Sequence, residues 1–333
     1  MTFIFAILLL CFLITIHEFG HYWVGRMCGI GIVEFAVGFG PKLIHWERKG
    51  IQYSIRLFPL GGYCQFVDED AEATSAKSMR SAPAWKRLLT VLAGPAMNIF
   101  FALVLCTGYM MVQGNVVPYV GSIEEYSVAK EDGLQEGDII RKVNGKTVLA
   151  YFELSDLLAD AGDTMTVQVE RNGEYKDITL HKVTKDNEAK FQITFQGMED
   201  PQGVSLWKGM RLSVRFAGWM VRSTFDVIGS LFTGDFVKGS VVGPVGTVGI
   251  IADGISQGWG NIVFMLILLS LNLGIFNLLP IPALDGGRLV FILYEMIVRK
   301  PIPPEKEGMV HMIGMVALLG LMLFLTLSDL HII

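Results

Sequence analysis

Four stretches of the chain carry almost no charge, and each has about the 20 residues a helix needs to cross the hydrocarbon of a bilayer. The first runs from Phe3 to Ile16 and continues through His17 and His21 to about Val24. The second, Leu88 to Val112, and the third, about Gly260 to Leu284, hold no Asp, Glu, Lys or Arg. The fourth is Met309 to Leu327. The first stretch has no positive n-region and no small-x-small cleavage site, so it reads as a retained span rather than a cleaved signal peptide.

Between these runs the periodicity changes. Ile30, Ile32, Val33, Phe35, Val37 and Phe39 are strand formers, broken by Gly38, Gly40 and Pro41. A second such run, Ile51–Leu57, is ended by Pro59 and Gly61-Gly62. The pattern predicts two hairpins over 29–66. An open sheet edge is not tolerated in lipid, so these strands need protein or water around them. They form either a cap on the cytoplasmic side or an edge that pairs with an extended peptide. Residues 115–195 have the composition of a soluble domain, with the turn Asn144-Gly145 and an alternation that puts Met165, Val167 and Val169 on one face. They predict a small α+β domain. From Ser205 to Phe232 the apolar residues Leu206, Met210, Val214, Ala217, Val221, Phe225 and Ile228 recur at helical spacing, with Lys208, Arg211, Arg215, Arg222 and Asp226 on another face. This is an amphipathic helix too charged to span. It lies on the membrane surface or packs on the soluble domain.

Composition agrees. Of 333 residues, 52% are hydrophobic and 18% charged, and the mean hydropathy is +0.47. A soluble domain carries about 25% charge, and disorder needs low hydrophobicity. The net charge of −5 gives no footprint for nucleic acid. Four scattered cysteines without a CxxC pair exclude a disulfide framework and a zinc finger. Nine Lys and Arg lie in 25–87 and four in 285–308. The positive-inside rule therefore places those two segments in the cytoplasm. The long segment 115–260 then faces outward, and four spans close the arrangement.

Chemistry concentrates in His17-Glu18-Phe19-Gly20-His21. Histidines at i and i+4 share a helix face and can hold one metal ion, with the glutamate beside them as a base. Ionisable groups inside a span are costly and mark function. A catalytic zinc site needs three protein ligands and one open position. His45 lies in the β-rich segment, His181 in the outward domain, and His311 and His331 flank the last span. Asp285 fits better. It follows the third span in Asn277-Leu278-Leu279-Pro280-Ile281-Pro282-Ala283-Leu284-Asp285-Gly286-Gly287, where two prolines and two glycines break the helix. Broken backbone at membrane depth is tolerated where it lines a cavity. A carboxylate and two imidazoles suit zinc. Zinc lowers the pKa of its water to about 7 and polarises a carbonyl. Glu18 then takes the proton and returns it to the leaving amine. Asn272 and Asn277 line a water path or bond between helices, and Asn98 reads as an interhelical hydrogen-bonding residue.

These motifs resemble the site-2 protease family of intramembrane zinc metalloproteases (peptidase family M50), in its bacterial RseP/RasP branch. The motifs are His17 to His21, Ala93-Gly94-Pro95-Ala96-Met97-Asn98, and Asn277 to Arg288. Gly133-Leu134-Gln135-Glu136-Gly137-Asp138-Ile139-Ile140, with Val143-Asn144-Gly145, resembles the start of a PDZ domain. The resemblance covers nearly the whole chain. It implies zinc on His17, His21 and Asp285, Glu18 as catalytic acid/base, substrate handling by Asn277, and strand addition of substrate to 29–66. It implies substrates that are single-pass transmembrane proteins, of the anti-sigma-factor or remnant-signal-peptide type, cut first by an upstream site-1 protease. The best-known Gram-negative members carry two PDZ domains; 115–200 has room for one. With a net charge of −8, that segment suits a size filter better than a groove for a peptide carboxylate.

The resulting expectation is a polytopic α-helical membrane protein of a bacterial inner or plasma membrane, with four transmembrane helices, a membrane-associated β-region and one inserted α+β PDZ-like domain. Its segments are 1–24 (first span), 25–87 (cytoplasmic-side β-region), 88–113 (second span), 114–200 (extracytoplasmic PDZ-like domain), 201–259 (surface helix and connector), 260–288 (third span with LDGG), 289–308 (cytoplasmic loop) and 309–328 (fourth span). The active site lies near the cytoplasmic side. The partners are its substrates and the lipid bilayer, and no nucleic acid. Two rivals stand: a non-catalytic membrane-anchored PDZ adaptor, which would have no need of Glu18, and a metal transporter, for which no inverted repeat is evident.

Overall fold

A computed structural model of the chain describes residues 2–69, 75–124, 127–159, 162–185, 188–191, 193–200, 203–233, 243–256 and 258–329. The order begins with helix α1 (Thr2–Met27), strands β1 (Ile32–Arg48) and β2 (Ile51–Phe66), and helix α2 (Ala84–Gln113). A β-rich stretch follows: β3 (Val116–Ile123), β4 (Ile139–Val143), β5 (Lys146–Thr147), the short helix α3 (Leu154–Ala159), β6 (Thr164–Arg171), β7 (Glu174–His181), β8 (Val183–Lys185), β9 (Glu188–Lys190) and β10 (Ile193–Glu199). Helices α4 (Leu206–Thr233), α5 (Pro244–Ser256), α6 (Trp259–Leu278), α7 (Asp285–Val298) and α8 (Pro304–Asp329) complete it. Among the described residues α1, α2, α6 and α8 are long and apolar enough to cross a membrane. The chain divides into two compact units, Met1–Leu105 with Met220–Ile333, and Cys106–Trp219.

In the first unit the third apolar run is not one helix. The helix α6 stops at Leu278, and Leu279 turns extended (φ −63°, ψ 142°). Pro280 and Pro282 have no N–H to continue the ladder, and a residue before proline is pushed out of the helical region. Helix resumes at Asp285. The segment expected as a loop over 289–308 is therefore helical to Val298, where Arg299 takes a left-handed conformation (φ 59°). Gly286, Gly287 and Ile292 give α7 a buried face. A side chain at Gly286 would collide with the Leu279 carbonyl, so the glycine pair lets α7 start directly against the broken loop.

The β-region is one connected β1–β2 ribbon rather than two separate hairpins. Its tight turn uses Lys49 and Gly50, both at positive φ (56° and 74°), which matches the twist of paired strands. Residues 34–37 are flanked twice: Phe35 sits opposite Cys64 and also opposite Tyr53, Val37 opposite Gly62 and Ile55. Residues 62–66 thus border the sheet. Ile30, Ile32, Ile51, Cys64 and Phe66 pack with Met79, Val91 of α2 and Ile292 of α7.

The second unit centres on a sheet in the order β10-β3-β4-β6-β7, with β5 on β4; β8 pairs with β9 separately. Val120, Leu134, Ile140, Val143, Met165, Val167, Val169 and Leu180 form its core. The Asn144-Gly145 turn (φ 49° and 77°) joins β4 to β5. The first half of α4 packs on this sheet unit rather than lying free of it: Phe216 meets Phe152 edge-on and Trp219 meets it at a tilt, Lys208 Nζ donates to Asp200 at 2.7 Å, and Arg215 pairs with Glu153. The buried residues of α4 are Gly209, Leu212, Ser213, Phe216, Met220 and Thr224. The apolar stripe read from the sequence is instead exposed at Leu206, Met210, Val214, Val221 and Phe225.

Candidate metal centre

His17 and His21 project from one face of α1, both buried. Asp285 opens α7 beyond the proline break, and Oδ2 lies 3.0 Å from His17 Nε2 and 3.2 Å from His21 Nε2. The two Nε2 atoms are 3.1 Å apart. Among the described residues these three form the one group of such ligands with convergent atoms. Helix α1 reaches α2 closely enough for this because the contact is glycine-lined. A Cβ on Gly20 would strike the Ala93 carbonyl, and one on Gly94 would overlap the His21 ring and sit 2.9 Å from His17 Cε1.

The arrangement fits a metal ion. His21 Nδ1 lies 2.9 Å from the Thr90 carbonyl. A carbonyl only accepts, so Nδ1 carries the proton and Nε2 presents a lone pair. That lone pair faces His17 Nε2 and a buried Asp285 oxygen that has no hydrogen-bond partner. Three electron pairs aimed at one point repel each other unless a cation lies between them. A proton joins two; a metal ion satisfies all three. Ligands on tetrahedral zinc at 2.0–2.1 Å are about 3.3 Å apart, and the observed separations lie just under that. His17 is oriented by Asn98, which is fully buried on α2 with its amide 3.4 Å from His17 Nδ1. Oδ1 of Asn98 has no partner as placed. Turning the amide over lets Oδ1 accept the Nδ1 proton and satisfies both groups. Asn98 is thus placed to orient the His17 ring, beyond the interhelical bonding read from sequence; its backbone carbonyl makes such a bond, accepting from Ser270 Oγ at 2.9 Å.

A cleft of about 390 Å³ opens on this cluster, lined by Glu18, Tyr63 to Phe66, Glu69, Asn277, Leu284 and Arg288 among others. Glu18 Oε2 accepts the Cys64 backbone N–H at 3.0 Å, so the border strand and the glutamate are tied together. Arg288 pairs with Glu69 across the cleft lining. Asn277 lines the cleft and donates to the Leu273 carbonyl of its own helix at 2.9 Å; Asn272 is not in the lining. Of the other histidines, His45 is exposed on β1 and His181 pairs with Asp132. His331 lies outside the described residues. His311 has a role its sequence position did not show: Nδ1 accepts the Ala283 N–H at 2.9 Å, holding a residue at φ 78° two positions before Asp285. Thr90 acts through its backbone, which leaves no side-chain signal.

The family model for peptidase family M50 matches residues 5–321. The chain belongs to this family. Zinc metalloprotease RasP of Shouchella clausii is 30% identical over 405 aligned residues, covering 95% of this chain and 96% of that protein. A Clostridium acetobutylicum protein with a provisional zinc-metalloprotease name is 31% identical over 98% of this chain and 96% of its own length. A similarly named protein of Agrobacterium fabrum is 32% identical over 97% of this chain and 94% of its own length. The M50 matched region takes in both histidines, Glu18 and Asp285. The relatives' names specify zinc, and two imidazoles with one carboxylate are a donor set for it.

Proposed function

We propose that this M50 protein is an intramembrane zinc endopeptidase, with zinc held by His17, His21 and Asp285 and with Glu18 as acid/base. It hydrolyses peptide bonds in single-pass transmembrane segments, of the anti-sigma-factor or remnant-signal-peptide type, after a site-1 protease has removed the outer part. The observation that carries the reading is the convergence of three ligand atoms within 3.0–3.2 Å in a cleft walled by candidate spans and by residues 63–66. When bound, zinc supplies Lewis acidity for the scissile carbonyl and an acidified water. Glu18 takes a proton at its carboxylate and delivers it to the leaving nitrogen. The Cys64 N–H at 3.0 Å fixes the carboxylate's aim. A transmembrane helix hides its amides, so the substrate must unwind near the cleft. Residues 62–66 are paired on one side with 32–37, and their other side borders the cleft, which suits strand addition. Asn277 at the cleft wall contacts the unwound segment. The basic residues of 25–87 and 285–308 support a cytoplasmic-side site in a bacterial inner or plasma membrane. The sheet unit, PDZ-like in its Gly133–Ile140 motif, faces outward as an acidic size filter.

Cleavage of a tagged single-pass substrate in detergent by wild type and Glu18→Gln, with zinc measured on both, tests the reading. Loss of cleavage with zinc retained is expected. Equal processing by both would remove Glu18 as the base. Absence of cleavage by a zinc-loaded wild type across several substrates would favour the adaptor reading.

A further inference from the structure

A second cleft, of about 380 Å³, lies where α1 ends beside the β1–β2 turn. Its lining is Tyr22, Arg26, Trp46, Arg48, Lys49 and Tyr53. Three are cations, three are aromatic, and none is a carboxylate. Glu47 does not compete, because alternation along a strand puts it on the face opposite Trp46 and Arg48. Among the described residues, no ion pair engages Arg48 or Lys49. Arg26 Nη1 donates to the Tyr22 hydroxyl at 2.8 Å, and the Tyr22 and Tyr53 hydroxyls are 2.8 Å apart. Two phenolic protons serve one mutual bond, so whichever way it points, one proton is left for a third partner. The Trp46 ring stacks on Tyr53 (5.6 Å, 12°) and stiffens that wall.

We infer that this cleft binds the phosphate of an anionic phospholipid headgroup. Phosphate oxygens match the two guanidinium groups, the ammonium and the spare phenolic donor. The surroundings select a lipid over a free phosphate compound. Arg26 is in the last turn of the first candidate span. Close to these residues in the chain, Trp23, Met27 and Ile44 are 51%, 74% and 58% exposed. Aromatic and basic residues at the end of a span sit at headgroup level, and an apolar rim there meets acyl chains, which a soluble phosphate lacks. Basic pockets beside spans are known to take anionic headgroups. The contact would fix the β-ribbon, and with it the border strand 62–66, at a set depth in the membrane.

The test uses the purified full-length protein in neutral-detergent micelles. Retention of phosphatidylglycerol and phosphatidylcholine is counted by native mass spectrometry, with glycerol phosphate as a soluble competitor. Wild type should retain phosphatidylglycerol preferentially. Each cation near a headgroup changes affinity about fivefold, so Arg48→Gln with Lys49→Gln should weaken retention about 25-fold. The pair Arg48→Lys with Lys49→Arg should restore it, which separates loss of charge from loss of fold. Equal retention of the two lipids by wild type, or unchanged phosphatidylglycerol retention in the Gln pair, would overturn the proposal. Displacement of the lipid by glycerol phosphate at equal concentration would also overturn it, by making the site one for soluble phosphates.

Discussion

Replacing Asn98 by leucine removes the acceptor for the His17 Nδ1 proton while keeping the number and branching of side-chain heavy atoms in a fully buried position. The Ser270 bond goes to the backbone carbonyl and survives the change. What is lost is one hydrogen bond and the group that selects the Nε2 lone pair of His17. An unsatisfied buried donor costs about 1–3 kcal/mol, which is about 5- to 150-fold in an equilibrium constant. Loss of a ligand's outer partner elsewhere costs 10–100-fold in metal affinity. The 3.4 Å separation is long, which places the expected loss near the lower end, about tenfold weaker zinc. Asn98→Asp keeps an acceptor and adds charge, so it should hold zinc at least as tightly as wild type. Competition of the detergent-solubilised protein against a graded series of zinc chelators reads both variants directly. Wild-type affinity in Asn98→Leu would refute the orienting role. Equal weakening by leucine and aspartate would refute the acceptor argument and leave only packing.

Gly94→Ala should abolish zinc retention on gel filtration while α2 stays helical by circular dichroism, because the new methyl overlaps the His21 ring; stoichiometric zinc would count against the crowding. His311→Phe should weaken zinc about threefold to tenfold by releasing the Ala283 N–H. Adding Ala283→Gly, which relieves a positive φ, should recover part of that loss in the same chelator series. Glu34 gives a pH signature. Burial pushes its pKa up, but donors on Ser54, Arg56, Tyr63 and Lys42 outweigh that and hold it at about 2. Its folded pKa is depressed, so the stabilisation is complete above the ordinary value of 4.5 and disappears as pH falls towards 2. A shift of that size is about 3 kcal/mol. Hydrogen exchange of 32–66, corrected for intrinsic rates, should lose protection between pH 5 and 2. Glu34→Gln should start less protected and show little pH dependence there.

Several features were legible in the sequence because they depend only on near neighbours. Histidines four apart share a face of any helix, so the spacing of His17 and His21 already placed their rings side by side, and their Nε2 atoms lie 3.1 Å apart. The alternation of Met165, Val167 and Val169 marked a core strand, and all three are buried. Asn144-Gly145 marked its turn because both residues tolerate positive φ. The prolines after α6 marked the break that presents Asp285. Other features were decided by elements far apart in the chain. The 289–298 stretch reads as part of a cytoplasmic connector because Arg288, Arg299, Lys300 and Lys306 flank it, yet it is helical, with Ile292 packed on the β-region and α2. In α4 the stripe with the clearest apolar spacing is exposed, and the buried side chains are others, among them Ser213, bonded to Thr107 of α2, and Phe216, packed on Phe152. The partners of the two imidazoles are a backbone carbonyl at Thr90 and a buried amide at Asn98, 69 and 81 residues from the histidines they contact. A carbonyl is common to every residue, and an asparagine in a span has many possible bonds. Only the α1–α2 contact, close because Gly20 and Gly94 lack side chains, gives those two groups their role.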